Sequence, residues 1–189
     1  MEIAFQEVKT VRSLMVPLPE IRILPIGDIQ YAGPKGGTDI DRLRAHIEWG
    51  SKNGCYFLGM GDYIDFASPS NRERLMQAAL YDDAQQIVDD AASRLEQELF
   101  AILAPSKGKW LGLLQGHHFF PHLDGTTTDT RLAQYLGSPY LGDCGAVIIR
   151  FPREGRTSFI HCKIWAHHGV SAADPEAVAS FADWPVNEC

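Results

Sequence analysis

Four short clusters in this chain set glycine beside acids or imidazoles: Gly27-Asp28-Ile29-Gln30, Gly61-Asp62-Tyr63-Ile64-Asp65, Gly116-His117-His118 and His167-His168-Gly169. Brought together, they would converge three carboxylates and four imidazoles. Carboxylates packed side by side repel one another unless positive charge lies between them. A divalent metal ion supplies that charge, and mixed Asp and His donors suit manganese, iron or zinc better than calcium or magnesium. Two such ions about 3.5–4 Å apart clamp the attacking and leaving oxygens of a phosphoryl transfer. One carboxylate, Asp62, would bridge them. Each cluster alone has a plain structural reading: a Gly-Asp pair is a common turn, and Asp65 can cap the turn before Ser68-Pro69. The conjunction of all four carries the argument. His161 reads as structural, and His46 and His122 as surface or packing residues.

Each cluster follows an apolar run of strand length. The runs are 21–26, 55–60, 110–114 and the continuation of 158–161 through Trp165. Pro25 argues against a regular central ladder position for the first. Strand 147–151 precedes the last run, joined to it by a polar hairpin at 153–156. Between the strands the spacing predicts helices. One is capped by Thr38 or Asp39 and turns Leu43, Ile47 and Trp49 inward. A longer one covers 72–103, bent or split near 81–83, with Met76, Leu80, Ile87, Ala91, Leu95, Leu99 and Ile102 recurring on one face. Pro105 and Gly108 stop it. A short one covers 128–136, with Thr128 or Asp129 as cap and Gly137 as stop. Alternating strands and helices make an α/β layout, and ligands in such sheets bind at the carboxyl ends of the strands. Residues 1–20 read as an N-terminal arm with one short strand, and 21–189 as a single domain.

Composition narrows the function. A chain of 189 residues, 45% hydrophobic and 22% charged, is neither collagen-like, nor a disulfide scaffold, nor disordered. A net charge of −7 does not suit non-specific coating of nucleic acid. Lys107-Gly108-Lys109 is the one basic cluster. The four cysteines form no Cys-x-x-Cys pair, and Cys55 and Cys162, lying in apolar runs, are expected to be buried free thiols. Neither a signal peptide nor an apolar stretch of roughly 18 residues stands out, so a cytoplasmic protein without a membrane partner is expected. Other enzyme classes fit poorly. Gly169-Val170-Ser171-Ala172-Ala173 lacks the second glycine of a nucleophile elbow. Asp39-Ile40-Asp41 opens a helix where an aspartyl-phosphatase pair would end a strand.

The clusters resemble the blocks of the calcineurin-like metallophosphoesterases over about residues 21–170. Those blocks run Asp-x-His, Gly-Asp-x-x-Asp, Gly-Asn-His-Glu/Asp, His before Gly, and Gly-His-x-His. Gly61-Asp62-Tyr63-Ile64-Asp65 matches the second fully. Asp28-Ile29-Gln30 matches the first with Gln for His; Gly116-His117-His118-Phe119 matches the third with His for Asn and Phe for the acid. His168-Gly169 matches the fourth, and residues 124–142 add a weaker likeness to phage-encoded members. The resemblance implies an αββα sandwich of two mixed sheets flanked by helices, incomplete at the C-terminus. It implies that Asp28, Gln30, Asp62, His117 and His168 hold two divalent ions, manganese foremost, with iron, zinc or nickel as alternatives. His118 would stand near the leaving-group oxygen, oriented by Asp65. His167 should point away from its neighbour along the strand. The activity implied is hydrolysis of a phosphate mono- or diester by metal-activated water. Nucleic acid and nucleotides are among the candidate substrates, and the location is the host cytoplasm if the chain is phage-encoded. No histidine follows His168, so the last block is absent. Either the chain is cut short, or another residue fills in, or the site is partial, and truncation is favoured. A catalytically inactive remnant serving as a binding module is the alternative.

Overall fold

The computed structural model describes residues 9–15, 20–67, 74–75, 82–153 and 157–169. Seven strands and three longer helices follow one another: β1 (Lys9–Met15), β2 (Ile23–Ile26), α1 (Ile40–Lys52), β3 (Tyr56–Gly59), α2 (Asp82–Leu103), β4 (Trp110–Leu114), α3 (Thr128–Leu136), β5 (Tyr140–Gly142), β6 (Cys144–Pro152) and β7 (Phe159–His167). A turn of 3-10 helix, Ala104–Ser106, ends α2 at Pro105. Strands β2-β3-β4-β5 form one sheet in that order, all parallel. Strands β1-β6-β7 form a second, with β1 parallel and β7 antiparallel to β6. The fold is thus mixed α/β. Its larger sheet is wholly parallel, where two mixed sheets were expected.

Two cores explain the layering. Ile47 of α1, Leu99 and Leu103 of α2 and Leu132 and Leu136 of α3 pack with Phe57 and Leu113 against one face of the parallel sheet. Leu58, Leu111 and Leu114 point through its other face to meet Val147, Ile149 and Ala166 of the second sheet. Strand β4 is buried along its whole length because both its faces are covered. Pro25 is tolerated because β2 is an edge strand, where a missing N–H breaks no ladder on the outer side.

Several sequence expectations change. Trp49 is 53% exposed, because α1 turns Ile47 and Gly50 to the core instead. Ile87 is likewise exposed. The buried face of α2 runs through Ala92, Glu96 and Leu99, and apolar periodicity alone could not include an ion-paired glutamate. Asp39 caps α1 by accepting from the Arg42 amide, whereas α3 is capped by Thr127 in a capping box with Thr130, not by Thr128 or Asp129. Cys55 and Cys144 are buried, but Cys162 is exposed on β7, which lies at the sheet edge. Met76 and Leu80 and the 154–156 turn lie outside the described residues. No described helix is long and apolar enough to cross a membrane.

Candidate metal centre

Parallel register aligns the carboxyl ends of β2, β3 and β4, so the chain leaves them along one edge at Gly27-Asp28, Gly61-Asp62 and Gly116-His117. The fourth cluster arrives by a different route. β7 runs antiparallel to β6, which places His167 opposite Cys144, immediately after β5 ends. Strand direction alone therefore gathers all four clusters.

The backbone at this edge is strained. Asp28 (φ 50°), Gln30 (φ 46°) and Asp62 (φ 54°) are the only non-glycine residues with positive φ among those described. Such conformations cost about 1–3 kcal/mol each and persist where surrounding bonds hold them. Here the two loops are zipped together beyond the strands. The Asp28 amide donates to Gly61 O (3.1 Å), Gln30 to Asp62 O (2.9 Å) and Tyr31 to Tyr63 O (3.0 Å). The Thr38 hydroxyl donates to Ile29 O (2.9 Å), tying in the start of α1.

Asp62 is the buried hub, 5% exposed. Its Oδ1 accepts from the amides of His117 (2.5 Å) and His118 (3.1 Å). His168 Nδ1 lies 2.5 Å from Met60 O. A carbonyl can only accept, so Nδ1 carries the proton and Nε2 is left basic. That Nε2 faces His117 Nδ1 at 3.0 Å and Asp62 Oδ1 at 3.4 Å. The ligand atoms of Asp62, His117 and His168 lie within 4.8 Å of one another, the one such His/Cys/Asp/Glu group among the described residues. Two imidazoles and a carboxylate aimed at one point are a fitting donor set for a transition metal or zinc, and three protein ligands leave coordination positions open. The Met60 carbonyl fixes the His168 tautomer, the arrangement that outer partners give to metal-binding histidines.

Glycine is required twice for this approach. A Cβ on Gly116 would land on the Asp62 amide nitrogen and Oδ1. A Cβ on Gly61, at φ +96°, would run into His168 Nδ1.

His118 lies beside the triad, with Nδ1 3.1 Å from Asp65 Oδ1 and Nε2 4.0 Å from Asp62 Oδ2. Asp28 and Gln30 stand outside the three-donor group; with Asp65 they line an adjoining cleft of about 770 Å³. His167 Nδ1 accepts from the Gly169 amide at 2.7 Å, and burial lowers its pKa. Only one of the two adjacent histidines joins the triad, as strand alternation requires. His161 is exposed on β7.

A second layer went unseen in the sequence. Three successive residues at the end of β4, Leu114 to Gly116, are pinned from three directions. Leu114 O accepts from the Tyr63 hydroxyl (3.0 Å), the Gln115 side chain from Tyr140, and Asp129 Oδ2 accepts from the Gly116 amide (3.0 Å). Asp129 is 1% exposed. Burial, with the nearby Asp62 charge adding to it, pushes its carboxyl up to about 6. Burial and the Asp129 charge raise Tyr63 well above the usual phenol range. Asp129 gave a signal, misread as a cap; Tyr140 gave none.

Of the two readings for His122, surface or packing, the structure gives packing, with charged partners. Its side chain is fully buried between Asp89 (Nδ1, 2.9 Å) and Glu96 (Nε2, 2.9 Å), and Arg131 bonds the other Glu96 oxygen at 3.2 Å. Burial alone would lower its pKa; the two carboxylates outweigh that and raise it. This network ties α2 to the segment carrying His117 and His118.

No protein-family model, curated protein or solved structure matches the chain.

Proposed function

We propose that this chain is a metal-dependent phosphoesterase of the calcineurin-like type, hydrolysing a phosphate mono- or diester with metal-activated water. One observation carries the reading: Asp62, His117 and His168 converge at the carboxyl edge of the sheet, with His118 held beside them by Asp65. A bound divalent ion supplies Lewis-acid activation of water and neutralises charge on the phosphoryl oxygens. Manganese is the first candidate. A second ion would call on Asp28 and Gln30, with Asp62 shared between the two, in the αββα frame that the sequence resemblance implies.

The chain's own residues divide the remaining work. Asp62 is oriented by two amides on one oxygen, which leaves Oδ2 for a cation. Asp65 accepts the Nδ1 proton of His118, so that Nε2 is the nitrogen turned toward substrate. A protonated Nε2 donates to the leaving-group oxygen, the role of a general acid. Burial of Asp62 keeps the charge interactions strong.

The test is hydrolysis of bis(p-nitrophenyl) phosphate with added manganese, comparing the native chain with Asp62→Asn. The variant should lose at least about 100-fold, the scale of a missing charge-stabilising group. Equal rates would sink the assignment. A second reading, a non-catalytic metal-binding remnant, is favoured by the position of Asp28 and Gln30 outside the three-donor group. Two bound equivalents of metal per chain would count against it.

A further inference from the structure

The cleft beside Asp28, Gln30 and Asp65 has a second wall. That wall is the cap of α1, Asp39, and the first two turns of the helix, which contribute Arg42, Leu43 and His46. Arg42 and His46 are four residues apart, so their side chains stack on one helix face. Both are exposed, and neither side chain forms a hydrogen bond or ion pair among the described residues. Three other bases are already committed: Arg131 to Glu96 and Asp124, Arg22 to Glu20, and Lys52 to Glu48. A chain of net charge −7 therefore turns two uncommitted cationic or donor groups into the cleft that adjoins its metal-ligand edge.

We infer that Arg42 and His46 form a subsite for a second phosphate of the substrate, distinct from the one that is cleaved. The inference rests on the phosphoesterase reading and specifies its substrate class: a phosphate ester carrying a further phosphate group. A guanidinium fork matches two phosphate oxygens at once, and an imidazole one turn away supplies another donor. The volume, about 770 Å³, is that of a small-molecule site and holds much more than a single phosphate. Asp28, Asp39 and Asp65 share the lining, and Asp39 is engaged by the Arg42 amide at 3.0 Å, so Arg42 and His46 are the cleft's side chains with positive charge or N–H to offer an anion besides Gln30. The second phosphate can come from a nucleotide chain or from a small bisphosphate ester.

Calorimetric binding to the full chain in EDTA separates this subsite from catalysis. The probes are thymidine 3′,5′-bisphosphate, tetrathymidylate and uncharged thymidine. Both phosphorylated probes should bind and thymidine should not. Arg42→Ala should weaken the bisphosphate about tenfold and His46→Ala about threefold, the scale of lost charge-assisted bonds. Arg44→Ala, an exposed change on the same helix that lines a different cleft, should leave affinity unchanged. Tighter tetrathymidylate identifies a nucleotide chain as the source; equal affinities identify a small ester. Undiminished affinity in Arg42→Ala, or no bisphosphate binding by the native chain, overturns the subsite. Diester hydrolysis without Arg42-dependent binding refutes the subsite alone. Arg42-dependent binding without hydrolysis refutes the phosphoesterase reading and leaves the phosphate site standing.

Discussion

Gly116→Ala puts the packing of the candidate metal centre to a quantitative test. The added methyl has nowhere to go, because its ideal position falls on backbone and carboxylate atoms of Asp62. Backbone cannot swing aside as a flexible side chain can. Overpacking a close-fitted site costs about 1–3 kcal/mol. Moving the loop to relieve it stretches the His117 and His118 amides away from Asp62 Oδ1. Losing one amide–carboxylate bond costs about a further 1.5–3 kcal/mol. The total, about 2.5–6 kcal/mol, is a large part of the 5–15 kcal/mol that typically holds a domain together. Urea unfolding of both proteins measures it, with Gly37→Ala as control because its added methyl meets nothing within 4 Å. The control should stay within about 0.5 kcal/mol of the native chain. A Gly116→Ala protein as stable as the control would refute the close approach of Gly116 to Asp62.

Two pH-dependent predictions follow from the buried titratable groups. His122 has a raised folded pKa, so its contribution is fully present below the unfolded value of about 6.5 and is lost as pH rises through the folded one. Melting temperature should fall across that window, and His122→Ala should remove the slope and cost about 1–3 kcal/mol at pH 6, because half-buried Asp89 and one oxygen of buried Glu96 lose their partner while Arg131 still holds the other. A native slope retained in the variant would show that another group titrates. Asp129 is raised to about 6, so the fold disfavours its ionised form once pH climbs from about 4 through 6. In metal-free buffer Asp129→Asn keeps an oxygen for the Gly116 amide and sheds the buried charge, so it should gain about 1–3 kcal/mol at pH 7 and nothing at pH 4. A variant less stable at both pH values contradicts that reading.

Much of the edge was legible because strand ends announce themselves. An apolar run stopping at Gly-Asp or Gly-His places Asp62 and His117 without reference to tertiary structure, and alternation along β7 separates His168 from His167. What stayed hidden was set by partners distant in the chain. Glu96 and His122 look like surface residues until each supplies the other's buried counter-charge across 26 positions. Tyr140 reaches Gln115 only because β5 pairs with β4. Trp49 broke the apolar pattern of α1 because a close-packed glycine, Gly50, took the core-facing position. The separation of Asp28 and Gln30 from the triad depends on the paths of two zipped loops, which residue types do not specify.

Equilibrium dialysis against manganese and zinc, read by elemental analysis, addresses the central claim that Asp62, His117 and His168 form a metal site. The native chain should retain at least one ion per molecule after chelation and reloading. His117→Ala and His168→Ala should each abolish retention at micromolar metal, while His161→Ala, altering an exposed histidine on β7, should not. A native chain that retains no ion, or variants that retain as much as the native chain, would contradict the account.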